Sequence, residues 1–517
     1  MRRLIPLLAS VFIAASPAHA EWWEAKTEHF VIYAEDNERN TRVFATKLES
    51  YDHALRSLQA TKFDPVTADW QRVTIYRSGD LEYMERLAHG PAGGFYIPQM
   101  NPVEFTPVHG EKPKTDSIIK RDSRTDLDPQ SVLFHEYAHH FMFQNFSAGY
   151  PSWYIEAFAE TVATIDLHPD GSFHVGNPPQ YRSDALFNQM LTVTPQSLLA
   201  STAKPDGEDW YGFYTVGWLV NHYLTFSGQR PGQLQTYLRL VNGGMNSAPA
   251  ARQAFGDLDK LASDIQKYKH SGKLGGADVV PGTKANLQIA MRRLGPDEEA
   301  VMKSTIRTKS GPTKAEARGV AGDVRGLAKQ YPNSLPIYLE LASAEAAVKN
   351  YDGAEAAADR ALQINPKSVE ALIDKSEVLL ERGKKDKKYL PQSRIWVAKA
   401  HDLDPQNPEP LYVNYMTYFY EGGSIPESAL IGLEQAFMRA RQDGGLRLVL
   451  GRQLLSEKKG DLARDILISL ALDPHQSKGR KDMRDVIDLI DAKKVDEAYT
   501  KLASLMKKWE DEADKGD

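Results

Sequence analysis

The pattern H-E-x-x-H occurs at His135, Glu136 and His139. Residues four apart on a helix lie on one face, so these two imidazoles can reach a single metal ion, with the glutamate between them. A zinc ion that performs chemistry needs a third protein ligand and an open fourth position. The spacing therefore predicts a zinc site whose third ligand lies elsewhere in the chain.

A second run, W-Y-I-E-A-F-A-E at 153–160, offers that ligand. Glu156 lies 17 residues after His139, and Glu160 follows one helical turn later on the same face. The spacing leaves both open as the third ligand. With zinc bound, Glu136 is expected to accept a proton from a water that the metal has acidified.

These residues need a scaffold, and the preceding sequence reads as mixed α and β structure. Strands are predicted at 30–33, 73–76, 93–97 and 103–105, and helices at 39–58 and 81–87. A polar stretch at 109–128 is predicted to be a loop. Asp128-Pro129 then gives a start signal for the H-E-x-x-H helix, and further helices are predicted near 152–165, 184–191, 210–226 and 232–242.

The two motifs together resemble those of the gluzincin metallopeptidases, whose ligand helix carries W-L-N-E-G-F-A. Trp153, Glu156, Phe158 and Ala159 match that motif, whereas Ile155 and Ala157 replace its Asn and Gly. The resemblance, over roughly 28–270, implies that Glu156 is the third zinc ligand. It also implies that Glu160 orients a zinc-binding histidine without touching the metal.

A further helix resembles the family pattern Y-x-x-G-x-x-x-x-x-Y-L, beginning at Tyr214. The resemblance implies that Tyr214 donates a hydrogen bond to the oxyanion of the reaction, with Tyr211 as the substitute. The upstream strands lack G-x-M-E-N, whose acid anchors a free amine in the related aminopeptidases. Its absence favours an endopeptidase.

Beyond residue 296 the sequence reads as repeated helix pairs. Pro332 and Pro366 lie 34 residues apart within similar segments, and Asp404-Pro405 and Asp473-Pro474 are 69 residues apart. Small residues and a proline that ends each unit resemble the tetratricopeptide repeat family. Such repeats imply a concave surface for a peptide or protein partner.

The ends of the chain and its composition place it in a compartment. Residues 1–20 have the pattern of a cleavable signal peptide, with two arginines, an apolar stretch and Ala18-His19-Ala20 at the predicted cleavage site. Cleavage removes two positive charges and no acid, so the formal charge of −6 becomes −8. This acidity argues against a nucleic-acid partner, and no other segment has the length of a membrane span. The chain has no cysteine, which fits a periplasmic or secreted bacterial protein without disulfides.

The predicted fold is an α+β zincin-like metallopeptidase domain (21–275), a linker (276–295) and an all-α tetratricopeptide-repeat solenoid (296–515). Truncation near residue 280 is expected to leave a folded catalytic domain. Two functions remain open. One is an exported zinc peptidase whose repeats dock a substrate or partner. The other is a non-catalytic scaffold that binds proteins through its repeats.

Overall fold

The computed structural model describes residues 21–61, 66, 68–108, 129–146, 149–187, 191–201, 209–272, 274–474 and 479–515. The predicted signal peptide, the predicted loop at 109–128 and the predicted cap Asp128 lie outside these residues. In the part of the chain described, no helix is both long enough and apolar enough to cross a bilayer. The chain is an α+β protein in which a small N-terminal sheet precedes many helices.

Two sheets hold the strands of the described residues. The strands are β1 Trp22–Lys26, β2 Phe30–Glu35, β3 Val73–Arg77, β4 Phe95–Ile97, β5 Val103–Thr106, β6 Asp166–Leu167, β7 Phe173–Val175, β8 Ala277–Val279 and β9 Ala290–Arg293. The larger sheet has the order β4-β5-β3-β2-β1-β9, and the smaller has the order β6-β7-β8. The central pairs β2–β3 and β3–β5 are parallel, whereas the edge strands β4 and β9 are antiparallel to their neighbours.

The helices of the N-terminal region (21–295) cover one face of the larger sheet and extend beyond it. They are α1 Glu38–Gln59, α2 Leu81–Ala88, α3 Pro129–Asn145, α4 Ser152–Val162, α5 Ser183–Phe187, α6 Pro195–Ala200, α7 Trp210–Phe226, α8 Gln233–Asn242, α9 Ser247–Phe255 and α10 Leu258–His270. Helix α1 begins where the Asn37 side chain accepts a hydrogen bond from the backbone N–H of Asn40. The strands and helices predicted from the sequence are therefore found, with shifted ends.

Two hydrophobic clusters meet at α4. In the first, side chains of β2, β3, α1 and α3 pack with Ile155 and Phe158 of α4. In the second, Trp153 and Ala157 of the same helix pack with α7–α10. Helix α4 is apolar almost all round because it is buried between these clusters.

Residues 276–295 have a different role from that of the predicted linker. Strand β8 pairs with β7, and β9 pairs with β1, so this stretch completes both sheets. Leu294 then enters the same core as Trp22, together with Met302 of the helix that follows. A cut near residue 280 removes these contacts, which contradicts the reasoning that the N-terminal region ends before it.

The helical region (296–515) consists of helices that pack on their neighbours in chain order. They are α11 Pro296–Lys309, α12 Lys314–Gln330, α13 Leu335–Ala347, α14 Tyr351–Ile364, α15 Val369–Gly383, α16 Leu390–Leu403, α17 Pro408–Glu421, α18 Glu427–Arg439, α19 Gly444–Ser456, α20 Gly460–Leu472, α21 Arg480–Asp491 and α22 Val495–Lys515. Packing between α13 and α15, and between α15 and α17, stacks alternate helices side by side. This arrangement is consistent with a helical solenoid.

The helical region also packs against the N-terminal region near the predicted zinc site. The hydroxyl of Ser152, the first residue of α4, donates to the Leu472 carbonyl at 2.7 Å. Near the end of α3, the Gln144 amide donates to the carbonyl of Arg439 at 3.2 Å. The two regions therefore share contacts at both motif-bearing helices.

Candidate metal centre

Helix α3 is fixed to its surroundings by buried tyrosines. The Tyr51 hydroxyl donates to the Phe134 carbonyl at 2.8 Å, and the two rings stack with centroids 3.8 Å apart. The Tyr137 hydroxyl donates to the carboxylate of Asp52 at 2.5 Å. Because Phe134 and Tyr137 flank the motif, these contacts set the rotation of the helix and thus the direction of His135 and His139.

A glycine allows α7 to approach α4 closely. A Cβ atom at Gly217 would lie 3.4 Å from the Trp153 carbonyl oxygen and 3.7 Å from the Ala157 Cβ. Trp153 is held in turn by a hydrogen bond from its Nε1 to the Tyr237 hydroxyl at 3.1 Å. This close packing places Tyr214, one turn before Gly217, over the site formed by α3 and α4.

His135, His139 and Glu156 converge. Their potential ligand atoms all lie within 4.8 Å of one another. The Nε2 atoms of the two histidines are 3.1 Å apart, and Glu156 Oε2 lies 3.2 Å from Nε2 of His135 and 3.5 Å from Nε2 of His139. All three residues are buried. Two imidazoles and one carboxylate form a donor set that catalytic zinc sites use.

The charge of the site also fits a cation. Burial alone lowers the pKa of an imidazole. At His135, however, the hydrogen bond to Glu156 and the charges of Glu160 and Glu156 outweigh burial and raise the pKa to about 9. The carboxylates thus create a strong preference for positive charge in a buried space. A divalent metal satisfies that preference while the imidazoles bind it as neutral ligands.

Glu160 lies behind His135. Its Oε1 atom is 3.6 Å from Nδ1 of His135, on the side of the ring opposite the Nε2 that faces Glu156. Arg182 donates to Oε1 at 2.7 Å and the Tyr181 hydroxyl donates to Oε2 at 2.8 Å. Of the two carboxylates, the structure brings Glu156 to the Nε2 side, where both imidazoles meet, and holds Glu160 at the rear.

Tyr214 and Tyr211 differ in what they contact. The Tyr211 hydroxyl donates to the Tyr181 carbonyl at 2.7 Å, away from the three candidate ligands. The Tyr214 ring lies 6.1 Å from the ring of His135, centroid to centroid, and its hydroxyl hydrogen-bonds the Glu156 side chain. Burial, followed by the charge of Glu156, raises the pKa of Tyr214 well above its ordinary value, so the phenol keeps its proton. The geometry supports Tyr214 over Tyr211 as the donor at the site.

Glu136 is more accessible than its neighbours in the motif. It is half-buried, whereas His135 and His139 are buried. A second acid, Glu104 of β5, is wholly buried, and no hydrogen bond reaches either of its carboxylate oxygens. Burial, and then the charge of Glu136, raises the pKa of Glu104 well above its ordinary value. Glu136 is therefore the acid of this pair that can meet solvent or substrate.

The neighbouring histidines have structural roles. His140 Nδ1 hydrogen-bonds the Tyr96 hydroxyl at 2.9 Å, and burial lowers the pKa of His140 to about 3. His222 bridges the carbonyl of Gly176 at 2.8 Å and the hydroxyl of Tyr268 at 3.0 Å. His140 thus hydrogen-bonds away from the centre, as its position on the helix indicates.

Another group with metal-binding potential is Glu28, His29 and Glu49. His29 Nδ1 already hydrogen-bonds Glu49 at 2.6 Å and lies 3.3 Å from Asp52. Arg56 pairs with Asp52 at 2.6 Å, so this cluster contains its own cation. It is a charged network that supports α1 and, through Tyr137, helix α3.

Sequence reasoning missed Arg182 and Tyr181. They lie on a single 3₁₀ turn, Gln180–Arg182, that no regular periodicity marks. The Arg182 guanidinium is buried, with the rings of Tyr211 and Tyr214 at 4.8 Å and 5.0 Å. Arg182 therefore links Glu160 with the helix that carries Tyr214. The signal available in the sequence was the aromatic spacing of α7, which provides a surface for a guanidinium.

No protein-family model matches this chain, and no curated protein shows significant similarity to it.

Proposed function

We propose that this chain is an exported zinc peptidase of the gluzincin type, which hydrolyses peptide bonds within polypeptides. The observation that carries the proposal is the convergence of His135, His139 and Glu156 within 4.8 Å, from two different helices. A helix-borne glutamate beside two of these residues, with access to solvent, gives the centre a base. A purely structural metal site would not require that base.

Zinc bound by these three residues supplies a Lewis acid that acidifies a water molecule and polarises a peptide carbonyl. Glu136 accepts the proton of the attacking water and transfers it to the nitrogen of the leaving amine. Tyr214 donates its hydroxyl proton as a hydrogen bond to the oxyanion that develops on the former carbonyl oxygen. The raised pKa of Tyr214 keeps that donor protonated at neutral pH.

Glu160 and Arg182 position the imidazole of His135. The carboxylate of Glu160 is held by Arg182 and Tyr181 and faces Nδ1 of His135. It favours the tautomer that carries a proton on Nδ1, which leaves Nε2 as the ligand atom.

Cleavage within chains is favoured over removal of terminal residues. In the hairpin of β4 and β5, Tyr96 is bonded to His140, and Glu104 is wholly buried. Neither side chain offers an accessible carboxylate that would anchor a free substrate amine. The helical region supports docking of a polypeptide substrate, because it contacts the N-terminal region beside both motif-bearing helices.

The experiment is hydrolysis of an unfolded protein, followed by mass spectrometry of the products. The wild type is expected to produce internal fragments. Glu136→Gln is expected to lower the rate by at least about 10²-fold, because an amide cannot accept the proton. The matched control is Glu85→Gln on the exposed side of α2, which should leave the rate unchanged. If the wild type cleaves no protein or peptide while the chain still captures a protein partner, the scaffold function replaces this proposal.

A further inference from the structure

A cavity of about 620 Å³ lies between the larger sheet and the helical region. Its walls come from β2, β3 and β5 on one side and from α11, α13, α15 and α17 on the other. Tyr33 and Tyr76, which line it, pack on the side of the sheet that carries α2 and α11, whereas α3 covers the opposite side. The cavity is therefore distinct from the candidate metal centre.

The cavity is strongly acidic. Eight carboxylate residues line it, against two cations, Arg72 and Lys309. Two of the acids have partners at its margin, since Asp69 pairs with Arg72 and Glu298 pairs with Arg292. The other six come from α13, α15, α17 and the segment before α17, and Lys309 is the lining cation near them: Glu340, Glu370, Asp374, Glu377, Asp404 and Glu409.

Buried acceptors in the wall lack donors, which is an observation independent of the charge. Oδ2 of Asp374 is buried and accepts no hydrogen bond, and the same is true of Oδ1 of Asn101. Unsatisfied buried acceptors are uncommon in folded proteins because each costs free energy. Burial raises the pKa of Asp374 and of Glu409. The wall therefore suits a ligand that brings both N–H donors and positive charge.

The shape favours an extended ligand over a small ion. A second cavity of about 520 Å³ shares Ser343, Asp374 and Glu377 with the first, so the two form one groove along the inner side of α13, α15 and α17. Apolar residues such as Leu339 and Ile373 lie among the acids. Lysine and arginine side chains match such a surface because their aliphatic stems bury against apolar groups while their charged ends reach carboxylates.

The groove adjoins the hairpin that borders the candidate metal centre. Asn101, in the turn between β4 and β5, donates from its amide to Glu409 at 3.1 Å. The same hairpin carries Tyr96, which hydrogen-bonds His140 of α3. We propose that this acidic groove binds a segment rich in lysine or arginine of the polypeptide substrate. The identity of that polypeptide as a substrate rests on the proposed function, whereas the binding itself does not.

The test uses calorimetric titration of the full chain carrying Glu136→Gln, so that binding is measured without cleavage. The probe is a capped heptapeptide of alternating glycine and lysine. The matched probe has every lysine acetylated, and spermine and Ca²⁺ are titrated separately. The lysine peptide is expected to bind, and the acetylated peptide is expected to bind at least about tenfold more weakly, since charge-assisted hydrogen bonds are lost.

Asp374→Asn combined with Glu377→Gln should weaken binding of the lysine peptide by about 10- to 100-fold, because two charged acceptors are lost. The matched control is Glu434→Gln combined with Asp465→Asn. It removes the same charge from exposed positions of the helical region and should leave the affinity within about twofold. Circular dichroism should show both double variants folded, since amides replace the carboxylates at equal size.

Three outcomes overturn the proposal: no binding of the lysine peptide, equal weakening in the control variant, or spermine or Ca²⁺ binding as tightly as the peptide. Failure of the proposed function is a separate result. Binding of the peptide by the groove, together with a wild type that hydrolyses nothing, would refute the peptidase and retain the groove.

Discussion

The replacement Glu160→Gln tests how the centre is supported from behind. Glu160 is almost completely buried, with 1% of its surface exposed, and it holds three groups together: Arg182 at 2.7 Å, the Tyr181 hydroxyl at 2.8 Å and Nδ1 of His135 at 3.6 Å. Glutamine has the same shape but carries no charge. It therefore keeps the packing and removes the electrostatic hold on the imidazole.

Two effects of different size are expected. Metal affinity should fall by about 10- to 100-fold, or about 1.4–2.7 kcal/mol, which is the usual cost of losing the partner of a ligand histidine. The metal-free protein should also lose about 3–5 kcal/mol of unfolding free energy, because Arg182 remains buried without its counter-ion. The second effect should be largely reversed in the double variant Glu160→Gln with Arg182→Met, whereas the first should not.

The assays are competition for zinc with a chromophoric chelator and urea unfolding of the metal-free protein. Glu156→Gln is the comparison, because it removes a predicted ligand and should reduce affinity more than Glu160→Gln does. Loss of metal in Glu160→Gln with retention in Glu156→Gln would show that the two carboxylates have been assigned in reverse.

Three other expectations follow from the same contacts. Tyr214→Phe should retain zinc and lower turnover about 10²–10³-fold, measured as kcat against an unfolded substrate, and an unchanged kcat would remove the oxyanion role. His222 has a pKa of about 4, below its ordinary 6.5, because it is buried, so the unfolded chain takes up a proton first as the pH falls. Its contribution to stability is complete above pH 6.5 and is lost towards pH 4. Between pH 7 and pH 5 the loss is about 2 kcal/mol in urea unfolding, and His222→Gln should lack it. Truncation after residue 280 removes β9, Leu294 and Met302 and should destabilise the N-terminal region by about 3–6 kcal/mol, and a thermal midpoint equal to that of the full chain would contradict the pairing of β9 with β1.

The sequence predicts the parts of the centre that depend on local periodicity. The H-E-x-x-H spacing fixes His135 and His139 on one side of a helix, and the second motif places Glu156 within reach of both. Helix periodicity also excludes His140, which points towards Tyr96.

Residues outside regular elements could not be predicted in the same way. Arg182 lies on a 3₁₀ turn, so its contact with Glu160 depends on how the chain returns after α4. Strand β9 pairs with β1 across more than 260 residues, and no local pattern specifies such a partner. Glu104 stands within a strand where a charged residue suggests the solvent side, yet tertiary packing buries it.

The most direct test of the central claim is the zinc content of purified protein, measured by elemental analysis. The wild type should contain one zinc per chain. His135→Ala and His139→Ala should contain none, and Glu156→Ala should retain less than the wild type. His140→Ala is the matched control, because this buried histidine neighbours a ligand and hydrogen-bonds Tyr96 instead, so it should retain the metal. Unchanged zinc in the His135, His139 and Glu156 variants would contradict the account.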